Sequence, residues 1–124
     1  MNQKKILIIE DEPNIIEILR EMGTSLEYEI IEARNGEDGL ISIQDNHPDL
    51  IILDIMLPKK DGIAILKEFR SQERGKDIPV IVFTNLEPTD EIMADVMKYQ
   101  PIDYFVKSNI TLKDLRKKVS EMLQ

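Results

Sequence analysis

The 124-residue sequence contains no cysteine and no tryptophan, and His47 is its only histidine. Without cysteine there is no disulfide framework, no thiol nucleophile and no cysteine-ligated zinc or iron–sulfur centre. A single imidazole likewise excludes metal sites built from several histidines. A chain that relies on no disulfide suits a reducing compartment, so we predict a cytoplasmic location.

Positive charge is scarce and long apolar runs are missing. Lysine and arginine number 16 against 24 aspartates and glutamates, which gives a net charge of -8. An acidic surface gains little from counterion release at a phosphate backbone, so direct nucleic-acid binding is not expected. No run reaches membrane-spanning length, and the four apolar residues at 6–9 are too few for a signal peptide. We therefore expect neither export nor membrane insertion.

The composition is that of one globular domain. Hydrophobic residues make up 42% of the chain and charged residues 32%, which is too apolar for a disordered protein. A chain of this length forms one core, and no internal repeat or flexible linker divides it. We predict a single domain over residues 1–124.

Short apolar runs alternate with helical patterns along the whole chain. The runs lie at residues 6–9, 28–33, 50–53, 80–83 and 104–106. Several of them are continuous rather than alternating, which is typical of parallel strands covered by helices on both faces. Five strand–helix units joined by right-handed crossovers predict an α/β fold with an open, doubly wound parallel sheet. Functional sites in such sheets lie at the carboxyl ends of the strands.

Polar residues follow these runs where the predicted strands end. Glu10 and Asp11 follow the first strand, Asp54 the third, Thr84 the fourth and Lys107 the fifth. Three carboxylates at one edge of an apolar sheet repel one another unless a cation compensates them. Mg²⁺ prefers oxygen ligands and keeps several waters, so the sequence predicts a magnesium site here.

The same residues suit phosphoryl transfer. A metal ion and the Lys107 ammonium would neutralise phosphoryl oxygens, the Thr84 hydroxyl would donate to them, and the central carboxylate, Asp54, would be the nucleophile.

Five segments of the chain, in this order and at this spacing, carry a specific family resemblance. They are residues 6–12 (ILIIEDE), 49–58 (DLIILDIMLP), 61–62 (DG), 78–84 (IPVIVFT) and 103–107 (DYFVK). The pattern resembles the receiver domains of two-component response regulators, of which the chemotaxis response regulator is the simplest member. The resemblance covers essentially the whole chain. It implies a flavodoxin-like fold of five βα units with strand order 2-1-3-4-5.

The resemblance also implies the role of each carboxylate. Asp54 would be the phosphoacceptor, and Asp11 and Asp54 would bind Mg²⁺ directly. Glu10 would hold the metal through a water molecule, and the backbone carbonyl of Met56 would complete the protein ligands. The phosphodonor would be a histidine kinase, a phosphotransfer protein or a small molecule such as acetyl phosphate.

A switch is implied in the same way. Thr84 and Lys107 would contact the phosphoryl oxygens and sense the phosphorylated state, and Tyr104 would turn inward when Thr84 moves. The face formed by the fourth helix, the fifth strand and the fifth helix would change. That face has acidic residues on the fourth helix and a basic stripe on the fifth, so we expect a phosphorylation-dependent homodimer.

The chain departs from the family pattern in three places. Asn85 replaces a small residue after the threonine, and residues 99–102 (YQPI) replace a Gly-Ala stretch. Ser108 stands where proline usually follows the lysine, often after a cis bond. Because a cis bond without proline costs roughly 3 to 4 kcal/mol, we predict a trans bond between Lys107 and Ser108.

Three other functions share part of this pattern. A phosphatase of the haloacid dehalogenase type also uses Asp and Mg²⁺, but it needs a second Asp where this chain has Met56. A flavodoxin-like electron carrier needs a phosphate-binding loop after the first strand, where residues 10–12 are acidic. A receiver-like scaffold that is never phosphorylated stays open on the sequence alone.

Some residues have simpler interpretations. Glu12 precedes Pro13 and is typical of an acidic helix start. His47 precedes Pro48 in a polar stretch and is interpreted as a solvated turn residue. The basic stripe of the last helix, formed by Lys113, Arg116, Lys117 and Lys118, is interpreted mainly as a solvated face.

Overall fold

The computed structural model describes residues 3–57 and 61–123 of the chain. Pro58, the last residue of the segment 49–58 that resembles the receiver family, lies outside the described residues. Strands and helices alternate as predicted: β1 Lys5–Ile9, α1 Pro13–Ser25, β2 Glu29–Ala33, α2 Gly36–Asn46, β3 Leu50–Leu53, α3 Gly62–Ser71, β4 Val80–Thr84, α4 Asp90–Met97, β5 Asp103–Val106 and α5 Leu112–Met122. Each apolar run of the sequence became a strand, with ends that differ by at most one residue.

The five strands form one parallel sheet with the order β2-β1-β3-β4-β5. The predicted fold class and strand order are therefore confirmed. Ile9 pairs with Leu53 in the register between β1 and β3, and Leu53 pairs with Val82 in the register between β3 and β4. The strand ends that carry the predicted site consequently lie side by side at one edge, which we call the carboxyl edge.

Both faces of the sheet are buried, which explains why the strand sequences are continuously apolar. One face packs against α2, α3 and α4. The core on that side includes Val82 of β4, Phe69 of α3 and Val96 of α4. The other face packs against α1 and α5, and the core on that side includes Phe83 of β4 and Leu115 of α5. Successive strand residues alternate between the two faces.

The helix starts follow the local sequence signals. Pro13 is the first residue of α1, and the side chains of Asn35 and Thr89 accept hydrogen bonds from the first turns of α2 and α4. Thr111 accepts a hydrogen bond from the Asp114 N–H at the start of α5, which is typical of a capping threonine.

Two departures from the family pattern have clear structural outcomes. Gln100 replaces part of the Gly-Ala stretch and adopts φ 54°, a left-handed conformation that favours glycine. The described residues contain no cis peptide bond, so the bond between Lys107 and Ser108 is trans, as predicted. No helix in the described part of the chain is both long and apolar enough to cross a membrane.

Candidate phosphoryl-transfer site

Three acidic side chains meet at the carboxyl edge. The pairing of Ile9 with Leu53 brings the following residues, Glu10 and Asp54, next to each other, and the Asp54 N–H donates to the Ile9 carbonyl at 3.0 Å. One carboxylate oxygen from each of Glu10, Asp11 and Asp54 lies within 4.8 Å of the other two. We call these three residues the carboxylate cluster.

Lys107 brings a positive charge into the carboxylate cluster. Its Nζ atom lies 2.5 Å from Glu10 Oε1 and 2.9 Å from Asp54 Oδ2. The side chain is only 5% exposed, so these contacts are poorly screened by water. The Lys107 N–H donates to the Thr84 carbonyl at 2.8 Å, which fixes the start of the lysine stem beside the end of β4.

Glu10 is buried, with only 2% of its surface exposed. Its Oε2 atom accepts hydrogen bonds from the Asp11 and Glu12 N–H groups at 2.9 and 3.2 Å. Oε1 lies beside the Lys107 ammonium, but in the described structure it accepts no hydrogen bond of regular geometry. Burial raises the pKa of Glu10 to about 7, against the opposing effect of Lys107.

The two partners of Lys107 also change its own titration. Burial alone would lower the pKa of Lys107, but its close contacts with the Glu10 and Asp54 carboxylates outweigh this effect, and the pKa is raised. Lys107 therefore carries a full positive charge at neutral pH and partly balances the carboxylate cluster.

Asp54 is held at both of its carboxylate oxygens. Oδ1 accepts a hydrogen bond from the Met56 N–H at 2.9 Å, and Oδ2 accepts one from Lys107 at 2.9 Å. Gly62 makes this turn compact, because a Cβ atom there would lie 2.2 Å from Ile55 Cα. The Gly62 N–H donates to the Ile55 carbonyl, so the start of α3 supports the turn that follows Asp54.

The carboxylate cluster fits a hard divalent cation. It offers three carboxylate oxygens in close proximity, and Glu10 Oε1 is a buried acceptor without a regular hydrogen bond. Glu10 and Asp54 are buried beside the more exposed Asp11, and one ammonium does not compensate all the negative charge gathered there. Oxygen ligands without sulfur or imidazole match the preference of Mg²⁺.

Thr84 and Tyr104 are linked through one residue of the β4–α4 connection. The fully buried Thr84 accepts a hydrogen bond at Oγ1 from the Leu86 N–H at 3.3 Å. The Tyr104 hydroxyl donates to the Leu86 carbonyl at 2.7 Å. Burial, with smaller contributions from Glu87 and Asp54, raises the pKa of Tyr104. In the part of the chain described, no hydrogen bond joins the Thr84 hydroxyl to the carboxylate cluster.

Two contacts at the site were not predicted from the sequence. Glu12 does stand at the start of α1, but its side chain makes no capping hydrogen bond, and its carboxylate lies 3.6 Å from Lys107 Nζ. The ring of Phe83 lies 5.9 Å from Lys107 Nζ. Continuous apolar strands do not reveal which face each residue occupies, so the sequence carried no signal for the Phe83 contact.

The simpler interpretations agree with the structure in outline. His47 is exposed and ends α2 in a left-handed conformation, although Arg74 also lies 2.7 Å from its Nε2 atom. In the basic stripe of α5, Lys113 and Lys117 are exposed, and Lys118 lies 3.6 Å from Asp103.

Sequence comparison identifies relatives over nearly the whole chain. The sequence model of the response regulator receiver domain matches residues 6–120. The probable transcriptional regulator ycf27 of Cyanophora paradoxa is 35% identical, in an alignment that covers 100% of this chain and 50% of that protein. The chain thus spans about half the length of the curated relatives it matches.

Two solved structures are similar in three dimensions. The receiver domain of the sensor histidine kinase PA1611 from Pseudomonas aeruginosa, with a magnesium ion coordinated in its active-site cleft, matches at a TM-score of 0.84 and 25% identity, over 98% of each chain. The Mn²⁺-bound form of response regulator Rcp1 matches at a TM-score of 0.80 and 31% identity, over 96% of this chain and 91% of that one.

Proposed function

The chain belongs to the response regulator receiver domain family, and on that basis we propose that Asp54 accepts a phosphoryl group in a Mg²⁺-dependent reaction. The observation that carries the proposal is the environment of Asp54. It is a buried carboxylate that contacts the Lys107 ammonium and lies within the carboxylate cluster. The proposed domain comprises residues 1–124, and its reaction takes place in the cytoplasm.

The proposed step is a nucleophilic displacement at phosphorus. A carboxylate oxygen of Asp54 attacks the phosphorus of a phosphohistidine or of acetyl phosphate and forms a new P–O bond. The bond between phosphorus and the donor breaks, and its electron pair leaves with the donor group. The product is an aspartyl phosphate. The hydrogen bond from Met56 to Asp54 Oδ1 orients the nucleophile before the reaction.

Asp11 and Asp54 would ligate Mg²⁺ directly, with the Met56 carbonyl as a third protein ligand and Glu10 acting through water. The ion supplies positive charge to the carboxylates and the phosphoryl oxygens when it is bound. The magnesium ion in the PA1611 receiver domain supports this assignment.

Lys107 and Thr84 would contact the transferred phosphoryl group. Lys107 already lies 2.9 Å from the oxygen of the proposed nucleophile, so a short movement of the ammonium brings it to a phosphoryl oxygen. Thr84 would contribute its hydroxyl, which is buried at the end of β4.

The two bonds to Leu86 supply a route for the switch. If the Thr84 hydroxyl turns toward a phosphoryl oxygen, the Leu86 N–H loses its acceptor and the backbone at Leu86 is free to shift. A change in the Leu86 backbone dihedral angles would move its carbonyl, which lies in the next peptide unit and accepts the hydrogen bond from the Tyr104 hydroxyl. We propose that Tyr104 reports the state of Thr84 in this way and changes the face made by α4, β5 and α5.

The donor would be a histidine kinase or a phosphotransfer protein. Because several relatives are probable transcriptional regulators and this acidic chain covers half their length, nucleic acid would be bound by a separate domain. The output we propose for this domain is a homodimer through α4, β5 and α5, in which acidic α4 meets basic α5.

The test of the phosphoacceptor is intact-protein mass after incubation with acetyl phosphate and Mg²⁺. The expected result is one added phosphoryl group in the wild type and none in Asp54→Asn. Asp61→Asn, which changes an exposed aspartate that caps α3, is the matched control and should label like the wild type. An unlabelled wild type would mean a receiver-like scaffold, and a labelled Asp54→Asn would place the acceptor elsewhere.

The homodimer is tested separately, by light scattering with beryllofluoride, a phosphoryl mimic. The expected result is a shift toward dimer that weakens at high salt. Glu91→Lys on α4 should reduce this shift, whereas Glu37→Lys on α2, also exposed, should not. A monomer at high concentration in beryllofluoride would exclude the homodimer and leave a different protein as the partner.

A further inference from the structure

Phe83 is the aromatic neighbour of the Lys107 ammonium. The ring centroid lies 5.9 Å from Lys107 Nζ, within the range of a cation–π interaction. Phe83 is the residue before Thr84 in β4, and it is buried.

The register of the sheet puts Phe83 in this position. Leu53 pairs with Val82, so the next residues, Asp54 and Phe83, are neighbours on adjacent strands. On the other side, Phe83 pairs with Phe105 of β5. Lys107 is two residues beyond Phe105 and thus on the same face of the sheet, which is the face covered by α1 and α5.

The ring differs from the other partners of Lys107 in one important respect. Glu10, Asp54 and Glu12 are carboxylates, and the proposed function engages the first two with Mg²⁺ and with a phosphoryl group. The face of an aromatic ring has a fixed partial negative charge that no metal or phosphoryl group removes. Since Lys107 is almost fully desolvated, the attraction is stronger than at an exposed site.

We propose that Phe83 is a positioning residue, whose ring keeps the Lys107 ammonium at the phosphoryl site while its carboxylate partners are occupied by Mg²⁺. The proposal rests on the proposed function for its consequence, which is tighter binding of the phosphoryl group. The position of the ammonium over the ring is a separate property, and it can be measured without any phosphodonor.

The first experiment fluorinates the ring. Phenylalanine with one, two or three fluorines at position 83 loses electron density from the ring face while its size changes little. The affinity for beryllofluoride in saturating Mg²⁺ should fall step by step, by about fivefold over the series. The same series at Phe105, which packs against the same face, is the matched control and should leave the affinity unchanged. A flat series at Phe83 in a wild type that binds beryllofluoride would overturn the proposal.

The second experiment needs no phosphoryl chemistry. A proton beside an aromatic face is shifted upfield by the ring current, so the Lys107 ε-methylene protons should be upfield in the NMR spectrum and remain so after Mg²⁺ is added. Replacement by Phe83→Leu should remove the shift, and Lys107→Arg assigns the signal. Loss of the shift on adding Mg²⁺ would overturn the proposal even if Asp54 is phosphorylated. Failure of Asp54 to be phosphorylated, with the shift retained, would refute only the proposed function.

Discussion

Two cationic side chains lie at opposite ends of the strands and have different kinds of partner. Lys107, at the carboxyl edge, contacts the carboxylates of Glu10 and Asp54. Arg70, in the last turn of α3, lies near the amino-terminal ends of β4 and β5 and donates only to backbone carbonyls in its described hydrogen bonds. Its acceptors are the carbonyls of Gly75, Lys76, Ile78, Tyr99 and Gln100, at 2.6 to 3.3 Å.

The contacts of Lys107 can be altered by a ligand, whereas those of Arg70 cannot. A carboxylate can bind a metal, take up a proton or accept a phosphoryl group, so the contacts of Lys107 can be reassigned. Backbone carbonyls have fixed partial charges, so the contacts of Arg70 are permanent. Burial lowers the pKa of Arg70, yet the group stays charged, since a guanidinium does not lose its proton in proteins. The proposed function therefore requires the contacts of Lys107 to change, whereas it requires no change in the contacts of Arg70.

Removal of the Arg70 guanidinium should change the stability of the protein more than any other substitution considered below. Arg70→Met should lower the free energy of unfolding by about 3 kcal/mol, because several partly buried carbonyls lose a charged donor. One of them belongs to Gln100, whose left-handed conformation adds to the cost once its partner is gone. Urea unfolding measures the loss, and Mg²⁺ should not reverse it. Arg34→Met, at an exposed arginine, should change the stability little; an equal loss there would refute the special role of Arg70.

The Arg70 contacts show where sequence reasoning reaches its limit. Asp54 and Lys107 were found because each is a charged residue directly after an apolar strand. Arg70 gave no such signal, since every residue has a backbone carbonyl and a pattern of side chains does not reveal which carbonyls a guanidinium will meet. The alternation of strands and helices and the set of strand-end residues were predictable from local patterns, and the strand order was implied by the family resemblance. Contacts that depend on register and loop path, such as those of Arg70 and Phe83, were not.

Removal of the Lys107 ammonium should lower the stability less than removal of Arg70, and Mg²⁺ should reverse the loss. Lys107→Met leaves Glu10 and Asp54 buried without their ammonium, which should cost about 2 kcal/mol of unfolding free energy in metal-free protein. The cost is limited because Glu10, with a pKa of about 7 even in the presence of Lys107, can take up a proton. Added Mg²⁺ should restore most of the stability. If urea unfolding shows the same deficit with and without Mg²⁺, the carboxylate cluster does not hold the metal.

Asp11→Asn removes one charge from the carboxylate cluster. The affinity for Mg²⁺ should fall at least about tenfold, because the site loses a charged ligand. The metal-free protein should be as stable as the wild type or more so, since repulsion among the three carboxylates is relieved. NMR titration with Mg²⁺ gives the affinity. Wild-type affinity in Asp11→Asn would rule out this ligand set, and Asp38→Asn, at an exposed aspartate on α2, serves as the control.

The smallest effect concerns how long the carboxyl edge stays in its proposed phosphorylated state. Met56 and Leu86 are two residues beyond Asp54 and Thr84, and in receiver domains these positions flank the path of the attacking water. Both side chains are apolar, so neither can orient a water by hydrogen bonding, and we predict slow self-dephosphorylation. Met56→Asn combined with Leu86→Glu should speed decay by a factor on the order of ten, which corresponds to about 1.4 kcal/mol of barrier.

This double substitution leaves the backbone hydrogen bonds of both residues in place. The Met56 N–H bonds to Asp54, and both backbone groups of Leu86 are used by Thr84 and Tyr104, but none of these bonds involves the side chains that are changed. Met56 is 54% exposed, so asparagine there is readily solvated. Phosphate release in excess Mg²⁺ measures the decay, with Ile41→Asn, an exposed apolar position on α2, as the control. Fast wild-type decay that the double substitution does not change would mean that another group places the water, and exposed Asn85, beside Thr84, would be the first to examine.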